Sequence, residues 1–375
     1  MILPHLIVPG KTIGIIGGGQ LGRMMTLAAK QLGYRVGVLD PEADCPTAQV
    51  ADWQIVAKYD DQEALMDLAM KCDVLTYEFE NVDADMIDNI EKTVSVPQGS
   101  ELLSITQDRL LEKAYLEMNN INLAPYATII SLQDIEEAVA SIGFPCVLKS
   151  IRGSSEGKGQ YVLYSEDNIA ECEELLRFGT CVLEAWIPFE RELSVMIIRN
   201  EAGEVATFPV TENIYRRNIL HQSIVPARIQ DEVAEEAVRI AATIAESLNL
   251  VGSLGVELFL TSSGALYVNE LVPRPNNAGL YSIEACSISQ FEAHIRTICG
   301  WPLPEIELHS KAVMTNILGE HLEGAELQIQ LKPDWHFHYY GKKGTVKGQK
   351  MGHITILTDD IEKTLATIND TGVWG

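Results

Sequence analysis

A tight run of glycines, Gly17-Gly18-Gly19-Gln20-Leu21-Gly22, stands between a short apolar stretch at 12–16 and a helical pattern that reaches Lys30. Glycines at 17, 19 and 22 fit G-x-G-x-x-G. At such a junction that spacing commits the N-terminal part to a strand–turn–helix unit whose helix N-terminus faces an anion. A second strand at 35–39 follows Gly33 and closes on Asp40, the acid that a dinucleotide-binding version of the unit requires. The plainer alternative is a Rossmann-like βαβ unit whose turn takes some other phosphate or none. Further α/β units are expected: a strand at 53–56, a helix at 62–70 and a strand at 74–77, followed by Glu78-Phe79-Glu80-Asn81. Ligands of open parallel sheets bind at the carboxyl ends of the strands. Glu78 is therefore a candidate site residue, with a helix N-cap role as the competing reading.

The chain has 375 residues, so two or three domains with ample core are expected. No apolar run approaches the roughly 20 residues that span a bilayer, and Pro4, Pro9 and Gly10 interrupt any signal-peptide pattern. A cytoplasmic protein without a membrane partner is expected. The seven cysteines are scattered and never spaced Cys-x-x-Cys. Reduced, mostly buried thiols follow, not a zinc site or a disulfide framework. A net charge of −25 argues against nucleic acid as a partner, because such binding relies on basic groups to neutralise phosphates.

The pattern changes near residue 105. A helix at 108–118 carries Arg109 and Lys113 and, taken alone, reads as a solvated surface helix. Ala124-Pro125-Tyr126 opens an extended segment, and a buried-type strand runs through Val147 and Leu148 to Lys149. The loop Arg152-Gly153-Ser154-Ser155-Glu156-Gly157-Lys158-Gly159-Gln160 follows, then another strand at 161–164. A glycine-rich loop between strands can lie over phosphates with its backbone N–H groups exposed. It is not a Walker A loop, since no helix or Lys-Ser/Thr end follows. A plain hairpin loop is the alternative. A strand at 182–187 could run beside an adenine, with Glu192 placed for a ribose.

Strands at 208–212 and 255–270 continue an antiparallel sheet, separated by an amphipathic helix at 231–249. The second of these regions is a hairpin: two apolar runs joined by Thr261-Ser262-Ser263-Gly264. Glu257 and Glu270 each interrupt an apolar run, where a carboxylate is costly unless paired or bound to a cation. Together with the Asn269 amide they suit Mg²⁺, a hard cation that shares oxygen ligands with phosphates. The alternative is that both glutamates edge the strands and face water. A small β-rich tail from about 301 carries Tyr340-Gly341-Lys342 and Lys350-Met351-Gly352-His353, its histidines expected to be structural or exposed.

This order of features resembles the ATP-grasp ligases. Gly17 to Gly22, Glu78-Phe79-Glu80-Asn81, Ile224-Val225-Pro226-Ala227, Asn269-Glu270-Leu271-Val272-Pro273-Arg274-Pro275 and Lys350-Met351-Gly352-His353 are similar to the N5-carboxyaminoimidazole ribonucleotide synthases of purine biosynthesis. The resemblance runs over essentially the whole chain. It implies an α/β and α+β architecture: a Rossmann-like domain at 1–105, an ATP-grasp domain at 106–300 with a glycine-rich lid at about 125–190, and a β-rich domain at 301–375. It implies that ATP phosphorylates bicarbonate to carboxyphosphate, whose carboxyl group reaches the exocyclic amine of aminoimidazole ribonucleotide, directly or as CO₂. Mg²⁺, replaceable by Mn²⁺, would be held by Glu257 and Glu270, in a homodimer.

By the same resemblance Arg109, Lys149, Ser154, Ser155, Gly157, Gly159, Gln160, Glu184, Ala185, Trp186, Ile187, Glu192, Tyr215 and Asn269 would hold ATP. Gln20, Leu21, Glu78, Asn276, Asn277 and Lys342 would meet the ribonucleotide. Glu156, Lys158, Arg274 and Lys350 would serve the chemistry, with Glu156 at the position of the aspartate that helps deprotonate the amine. The chain departs from the family at Ser154-Ser155-Glu156 (usually Gly-Tyr-Asp), at Asn276 and Leu280 (usually histidines), at Tyr215 (commonly histidine) and at Gln349 (typically arginine). These departures keep open a related ligase with a different acceptor amine. A more distant alternative is an NAD-dependent oxidoreductase built on the first glycine motif and Asp40, which leaves the glutamate pair and the lid unexplained.

Overall fold

The computed structural model describes residues 6–152 and 159–375. Ser154, Ser155, Glu156, Gly157 and Lys158 lie outside the described residues. The N-terminal region forms a parallel four-stranded sheet in the order Trp53–Val56, Arg35–Asp40, Thr12–Ile16, Val74–Tyr77. The glycine turn between Thr12–Ile16 and the helix Gln20–Gln31 is set by crowding as well as by backbone angle. Gly17 has φ +108°, and a Cβ there would sit 2.8 Å from the Phe79 nitrogen; one on Gly19 would sit 2.4 Å from Glu78 Oε1. Only glycine lets the turn lie this close to the end of the neighbouring strand. Asp40 is turned into the same turn: its Oδ2 accepts from the Gly18 amide at 2.7 Å and from the Tyr59 hydroxyl at 2.5 Å. It braces the loop from within, so the acid expected to meet a dinucleotide ribose is already engaged.

Among the described residues a nine-stranded sheet forms the centre. Its main path runs Leu266–Val272, Gly252–Thr261, Phe189–Arg199, Thr211–Arg216, Ile219–Val225, Lys311–Leu318, Lys350–Thr358, His336–Tyr339, with each adjacent pair antiparallel. The strand expected at 208–212 begins only at Thr211, because a separate short strand, Val205–Thr207, pairs back on Phe189–Arg199. The helix Asp231–Ser247 buries Ala237, Ile240, Ala241, Ile244 and Ala245 against this sheet, as its apolar spacing requires. The tail strands extend the same sheet, and the helices Leu322–Leu331 and Ile361–Asp370 cover them around Val313, Ile317, Ile354 and Trp374.

A second antiparallel sheet, ordered Tyr126–Ile129, Cys181–Ala185, Cys146–Ser150, Gln160–Leu163, has its own core around Ile129, Leu148, Leu163 and Leu183. Strand ends of the N-terminal sheet are tied to the central sheet through a buried polar chain. The Ser253 amide donates to His294 Nδ1 at 3.1 Å, which leaves the proton on Nε2, 2.8 Å from Thr76 Oγ1. Thr76 in turn donates to Gln98 Oε1 at 2.5 Å, and Gln98 donates to the Pro273 carbonyl at 2.8 Å. Among the described residues no helix is long and apolar enough to cross a membrane.

Candidate active site

A cavity of about 450 Å³ lies where the two antiparallel sheets and the N-terminal region meet. Its floor is the glutamate hairpin. Glu257 pairs directly with Glu270, and directly opposed residues of an antiparallel pair project from the same face. The register then slips: Leu258 pairs with Val268, leaving Asn269 as the extra residue of a β-bulge. Regular alternation would send Asn269 and Glu270 to opposite faces. With the bulge, Asn269, Glu270 and Glu257 all line the cavity, and Glu270 keeps part of its side chain in solvent there. Burial first, and then the neighbouring charge of Glu270, raise the Glu257 carboxyl, opposed by a hydrogen bond from Asn276 Nδ2 at 3.1 Å. Two acceptor-only carboxylates repelling each other on one face fit a hard divalent cation. No cluster of three or more His, Cys, Asp or Glu side chains suited to a metal occurs among the described residues. A cation here would take its remaining oxygens from the Asn269 amide and from substrate.

The helix Arg109–Met118 supplies the charged wall and corrects the sequence reading. Glu112 and Lys113 are each only 3% exposed. The helix turns Glu112, Lys113 and Leu116 inward against the sheets and leaves only its outer face, at Leu111, Glu117 and Met118, in solvent. Arg109 approaches Glu270 at 4.0 Å, and Glu112 Oε2 accepts from the Leu271 amide at 3.2 Å. Burial first, then Glu270, push the Glu112 carboxyl upward, against Arg109 and Lys113. Lys113 meets Glu184 Oε1 at 3.2 Å while Lys149 meets Oε2 at 2.9 Å. Burial would raise the Glu184 carboxyl, but the two lysines outweigh it and hold the group down at about 2. Neither Glu112 nor Lys113 carries a sequence signal of its own beyond sitting three and four residues after Arg109, on one helical face with it.

The strand Cys181–Ala185 ends before the expected 187 and runs into the cavity wall. The amides of Ala185 and Trp186 donate to the carbonyls of Pro125 and Pro145 at 2.9 and 3.1 Å. That leaves the Ile187 amide as the edge donor of the three for which the described residues supply no acceptor. Val147, Val162, Trp186, Ile187, Phe189 and Phe259 make this end of the cavity apolar, and Phe189 stacks on Phe259 with centroids 4.5 Å apart. Glu192 lines the same cavity, its carboxyl raised to about 7 by burial. Gly159 and Gln160 line it from the start of the strand Gln160–Leu163, and Tyr215 sits against Glu257, its hydroxyl held well above its usual pKa by burial and then by that carboxylate.

The opposite end is polar. Gln20, Leu21, Glu78, Arg274, Asn276, Asn277 and Lys350 all line it. Arg274 is forked onto Glu80 from the adjoining region, and Gln20 Nε2 donates to Asn277 Oδ1 at 3.3 Å. Asn276 is 7% exposed and fully engaged: its amide nitrogen serves Glu257 while its Oδ1 accepts from the Ala278 nitrogen at 3.2 Å. Asparagine thus holds Glu257 without adding an ionisable group. Lys342 does not line the cavity; its charge acts on Glu78, whose carboxyl is raised chiefly by burial and lowered by Arg274. Every described site candidate except Lys342 therefore reaches one cavity.

The chain matches three families in succession: the ribonucleotide synthetase preATP-grasp domain over residues 10–107, the ATP-grasp domain over 114–291 and the phosphoribosylaminoimidazole carboxylase C-terminal domain over 312–367. It is 46% identical over 370 residues to the N5-carboxyaminoimidazole ribonucleotide synthase of Bacillus subtilis, covering 99% of this chain and 97% of that protein. The Staphylococcus aureus (strain N315) protein of the same name is 43% identical, with 95% of each chain covered. Among solved structures, an N5-carboxyaminoimidazole ribonucleotide synthetase in complex with ADP superposes with a TM-score of 0.97 at 49% identity over 99% of both chains. An Aspergillus clavatus N5-carboxyaminoimidazole synthase bound to ADP and 5-aminoimidazole ribonucleotide superposes at 0.91 with 29% identity, over 97% of this chain and 98% of that one.

Proposed function

Because the chain belongs to the N5-carboxyaminoimidazole ribonucleotide synthase family of ATP-grasp ligases, which carry out an ATP-dependent step of purine biosynthesis, we propose that this cavity couples ATP cleavage to carboxylation of aminoimidazole ribonucleotide by bicarbonate. The observation that carries this reading is the convergence on one cavity of Lys149, Asn269 and the Glu257–Glu270 pair with Gln20, Glu78, Arg274 and Lys350. The first group is suited to a polyphosphate and the second to a polar, anionic acceptor.

The apolar end would take the adenine, with the Ile187 amide donating to it and Glu192 accepting from the ribose. Lys149 and Arg109 would lie along the phosphates, aided by Lys158 and the backbone of 154–157. With Mg²⁺ bound, Glu257, Glu270 and Asn269 would share a cation whose charge offsets that of the phosphates. A bicarbonate oxygen attacks the γ-phosphorus, the bond to the β-phosphate oxygen breaks, and ADP and carboxyphosphate result. The exocyclic amine of the ribonucleotide then bonds to the carboxyl carbon, directly or after CO₂ is released, and inorganic phosphate departs. Glu156 would take the amine proton. Arg274 and Lys350 would stabilise the anionic carboxyl and phosphate groups as charge shifts between them. Bicarbonate and Mg²⁺ enter through the family resemblance, supported here by the paired carboxylates and by Arg274 and Lys350 at the acceptor end; a homodimeric assembly rests on the resemblance alone. The test is to supply isotopically labelled bicarbonate with Mg-ATP and the ribonucleotide. Label in a carbamate on the exocyclic nitrogen is expected; ADP formation without labelled product would overturn the reading.

A further inference from the structure

Glu184 is a buried carboxylate with two lysines on it, where one would neutralise it. The two lysines differ in their surroundings. Lys149 lines the cavity, and its side chain is 13% exposed. Lys113 does not line the cavity, its side chain is 4% exposed, and its ammonium sits 5.6 Å from the centroid of the Tyr126 ring. The helix that carries Lys113 is fixed at its start by the Asp108 side chain, which accepts from the amides of Leu110 and Leu111 at 3.0 and 3.3 Å. Lys149 thus stands at the cavity wall within reach of a ligand, whereas Lys113 stands behind it, out of the cavity.

We infer that Lys113 is a positioning residue for nucleotide binding: a resident counter-ion that keeps Glu184 paired and so lets Lys149 leave it for the phosphates. The inference rests on the reading that ATP occupies this cavity. A polyphosphate entering beside Lys149 offers its ammonium a competing anion. Moving to it would strand Glu184 as an unpaired buried carboxylate, an arrangement that is strongly unfavourable. Lys113 removes that penalty, since the Lys113–Glu184 pair remains neutral as a unit after Lys149 departs. Without Lys113, Lys149 is the only cation within ion-pairing distance of Glu184 among the described residues, and nucleotide must compete with a buried carboxylate for it.

The test compares binding of ATP and of adenosine, each by competition with a fluorescent ATP analogue, in wild type and in Lys113→Met. Adenosine reaches the apolar end but has no phosphates to draw Lys149. The expected result is ATP binding weakened by at least about tenfold, with adenosine binding changed by less than about twofold. Equal weakening of both ligands would show only damage to the cavity and would overturn the inference, as would unchanged ATP binding. Lys113→Arg keeps the charge and should keep the wild-type ratio of ATP to adenosine affinity; a folded Arg variant that loses the ratio would also contradict it. Failure of wild type itself to bind ATP would instead count against the nucleotide reading of the cavity.

Discussion

Glu270 and Glu112 show how much a single carboxylate depends on its surroundings here. Glu270 is 42% exposed at its side chain and faces the cavity, so removing its charge should leave the fold intact. Glu270→Gln is expected to lower Mg-ATP turnover by at least about a hundredfold, as loss of a fixed electrostatic contact in an active site does, with a Tm within a few degrees of wild type. Wild-type-like turnover in that variant would remove the cation assignment. Glu112 lies behind the same strand, buried, accepting from the amide next to Glu270. The hairpin glutamates were legible in the sequence because each broke an apolar run. Glu112 and Lys113 were not: in a helix of mixed charge, periodicity alone does not distinguish a solvated face from one buried against a polar site. Their burial depends on the sheets that close over them, which is information held in tertiary packing.

At the level of elements, the bulge at Asn269 decides which side chains reach the cavity. It puts consecutive residues 269 and 270 on one face beside Glu257, and a period-two reading of the strand cannot supply that. Asn269→Ala keeps the bulge and removes one amide, whereas deleting Asn269 removes the bulge itself. The deletion is expected to lower kcat/KM at least about tenfold further than the alanine variant, because small displacements of positioning groups are costly. Equal losses in the two variants would show that the bulge has no positioning role. Other elements were plain from the sequence. The strands Thr12–Ile16, Arg35–Asp40, Trp53–Val56 and Val74–Tyr77 and the glycine turn all follow from short apolar runs and crowded glycines. The strand Thr211–Arg216 was misplaced because Phe208 and Val210 are buried without belonging to a ladder; apolar character marks burial, not pairing.

At the scale of the whole molecule, the buried chain through Thr76, Gln98, His294 and Ser253 ties the N-terminal region to the central sheet, beside the apolar core that Leu21 and Met25 share with Phe291 and Ile295. His294 must accept at Nδ1, and burial depresses its pKa to about 3; His221 is likewise lowered by burial, to about 4. The unfolded chain takes up protons below its ordinary histidine pKa, about 6.5, while the native imidazoles refuse them. The two histidines therefore contribute stability that is constant above about pH 7 and is lost as pH drops through that window, while the buried carboxyls of Glu192 and Glu257, raised by burial to about 7, act in the opposite direction. Urea midpoints of wild type and His294→Gln measured across the range isolate the histidine part: the stability advantage of wild type over the variant should shrink as pH falls from about 7 to about 4.5, and a difference independent of pH would contradict it. The family resemblance brought the N-terminal region and the tail to the ribonucleotide, through Gln20, Leu21 and Glu78 on one side and Lys342 on the other. The particular contacts between them, such as Gln20 with Asn277 and Arg274 with Glu80, join residues far apart in the chain, and no local pattern announces them.

That convergence is the central claim, and ADP release measures it most directly. Purified protein with Mg-ATP and bicarbonate should release ADP slowly alone and much faster once aminoimidazole ribonucleotide is added, with carboxylated product formed in step. ADP release indifferent to the ribonucleotide, in a protein that binds ATP, would contradict the account and direct the search for a different acceptor amine to the polar end of the cavity around Asn276.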